Sequence, residues 1–93
     1  MKRRVVFLNG DDPTVIARAH RAKAAGEHPI LIANGSVLEL ECVYPPGSPR
    51  IAAYVKRYIE EHGTSEEEAQ AIVRQPRQFA ELAVLSGDAD EIR

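Results

Sequence analysis

Apolar positions in this chain fall into short continuous runs in its first half and into one-face helical spacing in its second. Val5-Val6-Phe7-Leu8 is contiguous, rich in β-branched residues and bounded by Asn9-Gly10, which suits a strand buried on both faces of a parallel sheet. Asp12-Pro13 then reads as a helix cap and first helical position. An aspartate oxygen accepts otherwise orphaned amide bonds, and proline gives up no needed donor there. The spacing predicts a helix to about Ala25, with Val15, Ile16 and Ala19 on one side and Gly26 placed for a left-handed cap. Ile30-Leu31-Ile32-Ala33 is a second buried strand closed by Asn34-Gly35. From Val37 to Tyr44 apolar and charged residues alternate in the first half of the run, which predicts an edge strand with one wet face.

In the second half, Ser48-Pro49 repeats the cap-plus-proline pairing, and Ile51, Tyr54, Val55, Tyr58 and Ile59 keep one helical face. Gly63 stops that helix. Thr64 or Ser65 starts the next through a capping box with Glu67 or Glu68, and Ala69, Ile72 and Val73 form its buried face. Pro76 interrupts, and Phe79, Leu82, Ala83 and Leu85 make a last short helix ended by Ser86-Gly87, with a frayed tail after it.

Strand, helix, strand in the opening third is the pattern of a right-handed parallel crossover. The expected fold is therefore α/β: one domain over residues 1–93, with a small three-stranded sheet whose first two strands are parallel, about four helices, and the look of a Rossmann-like half domain. Asn34-Gly35-Ser36-Val37 is too short a link for a parallel crossover, which takes about a dozen residues. Either the third strand pairs antiparallel with the second as a hairpin through Asn-Gly, or the two separate and another copy completes the edge. The hairpin is the preferred reading, and a dimer is expected in both cases because a thin sheet leaves open edges.

Composition narrows the partners. Twelve basic and 14 acidic residues give a net charge of −2, and no basic stretch exceeds Lys2-Arg3-Arg4, so nucleic acid is not expected as a partner. Cys42 is the only cysteine, which excludes an intrachain disulfide framework and CxxC motifs and points to a reducing, cytoplasmic setting. The apolar run after the basic start is too short for a signal peptide or a membrane span.

Candidate chemistry is sparse. Asn9-Gly10-Asp11-Asp12 lies between a strand's carboxyl end and a helix's amino end, the usual ligand position in open α/β sheets, yet its aspartates would repel phosphate. The plain alternative is a capped helix start. At Ser48-Pro49-Arg50 a hydroxyl, free amides and a guanidinium converge, which makes Ser48 and Arg50 candidate anion contacts; an N-cap with a solvated arginine is the competing reading. Arg74 and Arg77 flank Gln75-Pro76 at a helix junction and could clamp a phosphate, or stay hydrated near a helix end. His20, His28 and His62 have no metal-ligand spacing, and no serine has a base and orienting group suggested beside it. No metal, no resident cofactor and no catalytic residue are assigned.

The ordered series Ser48-Pro49-Arg50, Tyr54, Gly63, Glu66-Glu67-Glu68-Ala69, Val73-Arg74, Phe79-Ala80 and Gly87-Asp88-Ala89-Asp90 resembles the first subdomain of phosphate acetyl/butyryl transferases, as do the opening strand, Gly10-Asp11-Asp12 and His28-Pro29-Ile30-Leu31-Ile32. The resemblance covers nearly the whole chain, with the link after the second strand shortened. It implies acyl transfer between coenzyme A and phosphate in a cleft between two domains, with coenzyme A or acetyl phosphate as possible ligands. The segments that carry catalysis in that family lie beyond the part matched here, so the expectation is a domain inactive alone that acts through assembly, with itself or a complementary domain, or through ligand binding. Part of a split acyltransferase, an acyl-CoA-sensing module similar to the C-terminal domain of large malic enzymes, and an interaction module without a small ligand are the alternatives.

Overall fold

A computed structural model describes residues 2–37 and 39–93; Leu38, placed above in the third strand, lies outside them. The chain runs β1 (Arg4–Phe7), α1 (Pro13–Ala24), β2 (His28–Ile32), β3 (Glu41–Val43), a 3₁₀ turn at Pro45–Gly47, α2 (Ile51–His62), α3 (Glu66–Val73), α4 (Pro76–Leu85) and β4 (Glu91–Ile92). The four strands form one sheet in the order β3-β2-β1-β4, and every pairing is parallel.

The contiguous apolar runs serve two faces at once. Val5, Phe7, Leu31 and Ala33 pack with Ala19 and Ala22 of α1, while Val6, Ile30 and Ile32 pack with Tyr54, Val73, Phe79 and Leu82 from the other three helices. Alternate side chains of a strand point to opposite faces, so one run supplies two cores and the molecule has three layers. Tyr54 and Phe79 meet edge to face, ring centroids 5.0 Å apart, a geometry worth about 0.5–1.5 kcal/mol beyond burial.

The helix signals hold locally. Asp12 Oδ1 accepts the Thr14 amide at 2.8 Å, and Ser65 rather than Thr64 caps α3, its Oγ accepting from the Glu68 amide at 3.2 Å. Gly63 closes α2 in the left-handed region at φ 67°, where a Cβ is strained. Ser48 does not cap α2. Its hydroxyl accepts the Arg50 amide at 3.2 Å, and the helix begins only at Ile51.

Three expectations are overturned. The sheet has four strands, not three. The tail is not frayed, because Glu91–Ile92 pairs with Val5 and Val6 of β1, and the Arg93 amide donates to the Val6 carbonyl at 2.7 Å. Lastly, β3 is parallel to β2, not a hairpin partner. It starts at Glu41, so eight residues, 33–40, separate it from β2. Ile32 pairs with Val43 and Ile30 with Glu41, so the path descends a short distance and steps over one strand spacing. Eight extended residues reach about 26 Å, which spans it without a helix. Val37 and Leu40 of this path, and Cys42 of β3, pack half-buried on the α1 side of the sheet. The Asn34 and Gly35 amides donate to the Asp11 carboxylate instead of closing a hairpin.

Candidate functional site

Because all four strands run the same way, the loops after β1, β2 and β3 emerge at one end of the sheet. Asn9, Asn34 and Tyr44, one from each loop, line a cleft there of about 310 Å³ together with Asp11, Arg74 and Pro76. The carboxyl end of an open parallel sheet is where such folds bind ligands, and this volume is at the small end for a ligand pocket, which starts at roughly 300 Å³.

Local backbone requirements build the cleft's floor. Asn9 sits at φ 56°, in the left-handed region that asparagine tolerates better than most residues. Gly10 then passes against β2: its amide donates to the Ile32 carbonyl at 2.9 Å, and a Cβ there would lie 2.8 Å from both the Ile32 oxygen and the Leu31 Cβ. Asp11 turns its carboxylate to the Asn34 amide at 2.9 Å and the Gly35 amide at 3.2 Å. That charge is thus partly absorbed by two backbone dipoles, and the loop is pinned to its neighbour.

The structure separates the four candidate anion contacts. Arg74, the residue that ends α3, lines the cleft. Its guanidinium meets the Gln70 side-chain oxygen at 3.5 Å, and among the described residues no carboxylate forms an ion pair with it. Arg77 points along α4 to Glu81 at 3.6 Å and is mostly exposed. Arg50 is paired with Asp88. Neither Ser48, Arg50 nor Arg77 lines the cleft with Arg74, so the two pairs are not brought together there.

Asp88, expected in a frayed tail, is the centre of a second cluster. Its Oδ2 accepts the Tyr54 hydroxyl at 2.6 Å, and its Oδ1 pairs with Arg50. The Arg50 guanidinium, then the Tyr54 hydroxyl, hold the Asp88 carboxyl below the ordinary carboxylate range. Burial and the bond to Asp88 push Tyr54 up to about 12. The only available signal was the joint presence of Tyr54 and Gly87-Asp88-Ala89-Asp90 in the series that carries the resemblance, and it says nothing of contact.

The histidines stay apart. His28 meets Glu41 Oε1 at 2.8 Å across β2 and β3, and His62 stacks on Tyr58 with centroids 4.3 Å apart. Among the described residues no group of three or more His, Cys, Asp and Glu side chains could hold a metal ion. Nor is any helix there long and apolar enough to cross a membrane.

A four-stranded parallel sheet with one helix on one face, three on the other and a cleft at the strands' carboxyl ends defines a layered α/β fold. No protein-family model and no curated protein matches the sequence. Among solved structures the chain is similar to EutD phosphotransacetylase from Staphylococcus aureus, with a TM-score of 0.87 at 24% identity over 98% of this chain. The fold is therefore phosphotransacetylase-like, and the chain spans 32% of that protein's length.

Proposed function

We propose that this chain is a phosphotransacetylase-like binding domain that takes a phosphate-bearing ligand of the coenzyme A or acetyl phosphate type in the cleft, performs no acyl transfer by itself, and acts by assembly with a second copy or a complementary domain. Arg74 supports this reading most directly. Among the described residues it is a guanidinium without a carboxylate partner, at the carboxyl end of a parallel sheet, beside the start of α4, whose first position is Pro76. Fixed-charge donors and helix amino ends favour phosphate. Coenzyme A is larger than the cleft, and Ser48, Arg50 and Arg77 are proposed as its outer contacts.

The test is a two-dimensional amide NMR titration with coenzyme A, acetyl phosphate and inorganic phosphate in turn. Shifts are expected at Asn9, Asn34 and Arg74, and Arg74→Gln is expected to weaken binding about tenfold, the worth of one charge-assisted hydrogen bond. Unchanged spectra at millimolar ligand would sink the binding reading.

A second reading, part of a split acyltransferase, draws on the 32% coverage of the neighbour. Acetyl phosphate formation when the chain is mixed with a complementary remainder, and none with either alone, is the outcome it requires.

A further inference from the structure

Six of the nine arginines pair with a carboxylate: Arg3, Arg4, Arg50, Arg57, Arg77 and Arg93. Among the described residues Arg18, Arg21 and Arg74 do not. Arg74 faces the cleft. Arg18 and Arg21 both line an open hollow of about 360 Å³ on the α1 side of the sheet, which shares no lining residue with the cleft. In a chain of net charge −2, two uncompensated guanidiniums on one hollow gather positive potential there.

The walls of the hollow differ in what they offer. Arg18 and Arg21 stand three apart on α1 and are neighbours on its surface. Arg18 lies over the buried ring of Phe7, its Cζ 5.6 Å from the centroid; stacking of this kind holds a guanidinium by its face and leaves its N–H edge free. Ala22 and Ala25, further along the helix, are too short to fill the space. Beyond them Arg93 forks onto Glu27 at 2.9 and 2.7 Å. Each Glu27 oxygen takes one of those bonds, and a carboxylate accepts about four, so Glu27 retains acceptors for hydroxyl groups. The Glu27 charge and the negative end of the α1 dipole both lie on this far side. An anionic group is therefore placed at Arg18 and Arg21, and an uncharged, hydroxylated part at Glu27. The volume falls within the range of small-ligand sites, roughly 300–1,000 Å³.

We propose that this hollow binds a phosphate monoester of a small polyol, its phosphate between Arg18 and Arg21 and its hydroxyls toward Glu27. A phosphate monoester carries about −1.5 to −2 charge at neutral pH, which matches two guanidiniums, whereas a single carboxylate matches one. The site is separate from the cleft and does not depend on what the cleft takes.

The experiment is an amide NMR titration of the chain with glycerol phosphate, with glycerol and with succinate at matched ionic strength. Glycerol phosphate is expected to move the amides of Arg18, Arg21, Ala22 and Ala25, succinate to move them only at higher concentration, and glycerol not at all. Arg21→Gln should weaken the response about fivefold, the upper end for an exposed charge pair, while Arg74→Gln leaves it unchanged. Arg18→Gln is the second variant; both side chains are exposed, so neither change removes core packing. An α1 face unmoved at millimolar glycerol phosphate would overturn the site, as would shifts that survive Arg21→Gln and Arg18→Gln at the same midpoint. Equal midpoints for succinate and glycerol phosphate would overturn the selection for phosphate. Loss of cleft shifts in Arg74→Gln with the α1 shifts intact upholds two independent sites, so failure of one reading is distinguishable from failure of the other.

Discussion

Asp88 receives two side chains from the start of α2, and the pair ties that helix to the turn before β4. Removing the Tyr54 hydroxyl leaves the carboxylate with one donor fewer in a half-buried site. Tyr54→Phe is expected to cost about 1–2 kcal/mol in denaturant unfolding at neutral pH. The pH limbs differ in sign. Asp88 titrates below its ordinary value in the fold, so its contribution is present above that value and lost as pH falls through the depressed one. Tyr54 is raised to about 12 from 10.0; its contribution is complete below 10 and lost as pH rises from 10 to 12. Unfolding curves across that alkaline window should slope downward in the wild type and be flatter in Tyr54→Phe. Gly10 is the other position where one atom decides. With a Cβ 2.8 Å from both the Ile32 carbonyl oxygen and the Leu31 Cβ, Gly10→Ala forces β1 and β2 apart at the cleft. A loss of about 1–3 kcal/mol is expected, the usual range for overpacking; an unchanged midpoint would show that the cleft floor yields.

Among the elements, those legible in the sequence were the ones whose signals are local. Asp12-Pro13, Ser65 and Gly63 act within a turn of the helices they bound, and the starts of α1 and α3 and the end of α2 stand where those signals put them, whereas α2 begins at Ile51, past the Ser48-Pro49 cap signal. The third and fourth strands obey other controls. Alternation from Val37 to Glu41 mimicked a strand, but Val37 and Leu40 belong to the crossover and bury against the α1 side, with Glu39 in the left-handed region at φ 70° and its carbonyl accepting from Lys23. Asn34-Gly35 carried a hairpin signal that lost to Asp11, a partner too distant in sequence to weigh. β4 has two residues, too few for a periodicity. It is fixed from outside by Arg4, whose amide and guanidinium bond Asp90 and the Gly87 carbonyl, and by Arg93, which forks onto Glu27 at 2.9 and 2.7 Å. Glu91 lies near Arg93 and Arg3, which draw its carboxyl down to about 2. Hydrogen exchange tests this element. The amides of Asp90 and Arg93, which donate to the carbonyls of Arg4 and Val6, should be protected well above a free chain end; exchange at unstructured rates would mean that β4 does not hold. Of the candidate site, the sequence showed Arg74 and the Gly10 loop but not their meeting in one cleft, since that depends on β3 being parallel.

At the scale of the whole molecule, the edges of the sheet bear on the proposed assembly. A dimer followed from a thin sheet with exposed edges, but the edges of this sheet are β3 with three residues and β4 with two. Each carries a glutamate already held by a basic partner, Glu41 by His28 and Glu91 by Arg3 and Arg93. Short, charged edges are how sheets avoid pairing with one another. Larger apolar side chains do reach the surface elsewhere: Tyr44, 52% exposed, at the cleft, and Leu85, 50% exposed, at the end of α4. The cleft is walled by loops of the sheet and by Arg74 and Pro76 at the α3–α4 junction, and the similar solved protein has a chain of which this fold spans 32%. We therefore favour a complementary domain closing the cleft over a strand-to-strand dimer. Size-exclusion chromatography with light scattering should return the mass of one chain, 10.3 kDa, across a wide concentration range. The mass of two chains that reverted to one on Tyr44→Ser would place self-association at the cleft, and a dimer indifferent to Tyr44 but broken by a proline at Cys42, in the outer strand, would restore the edge as the interface. A single-chain mass that rises, by the added domain's own mass, only when a domain of different sequence is present is the result the complementary-domain proposal expects.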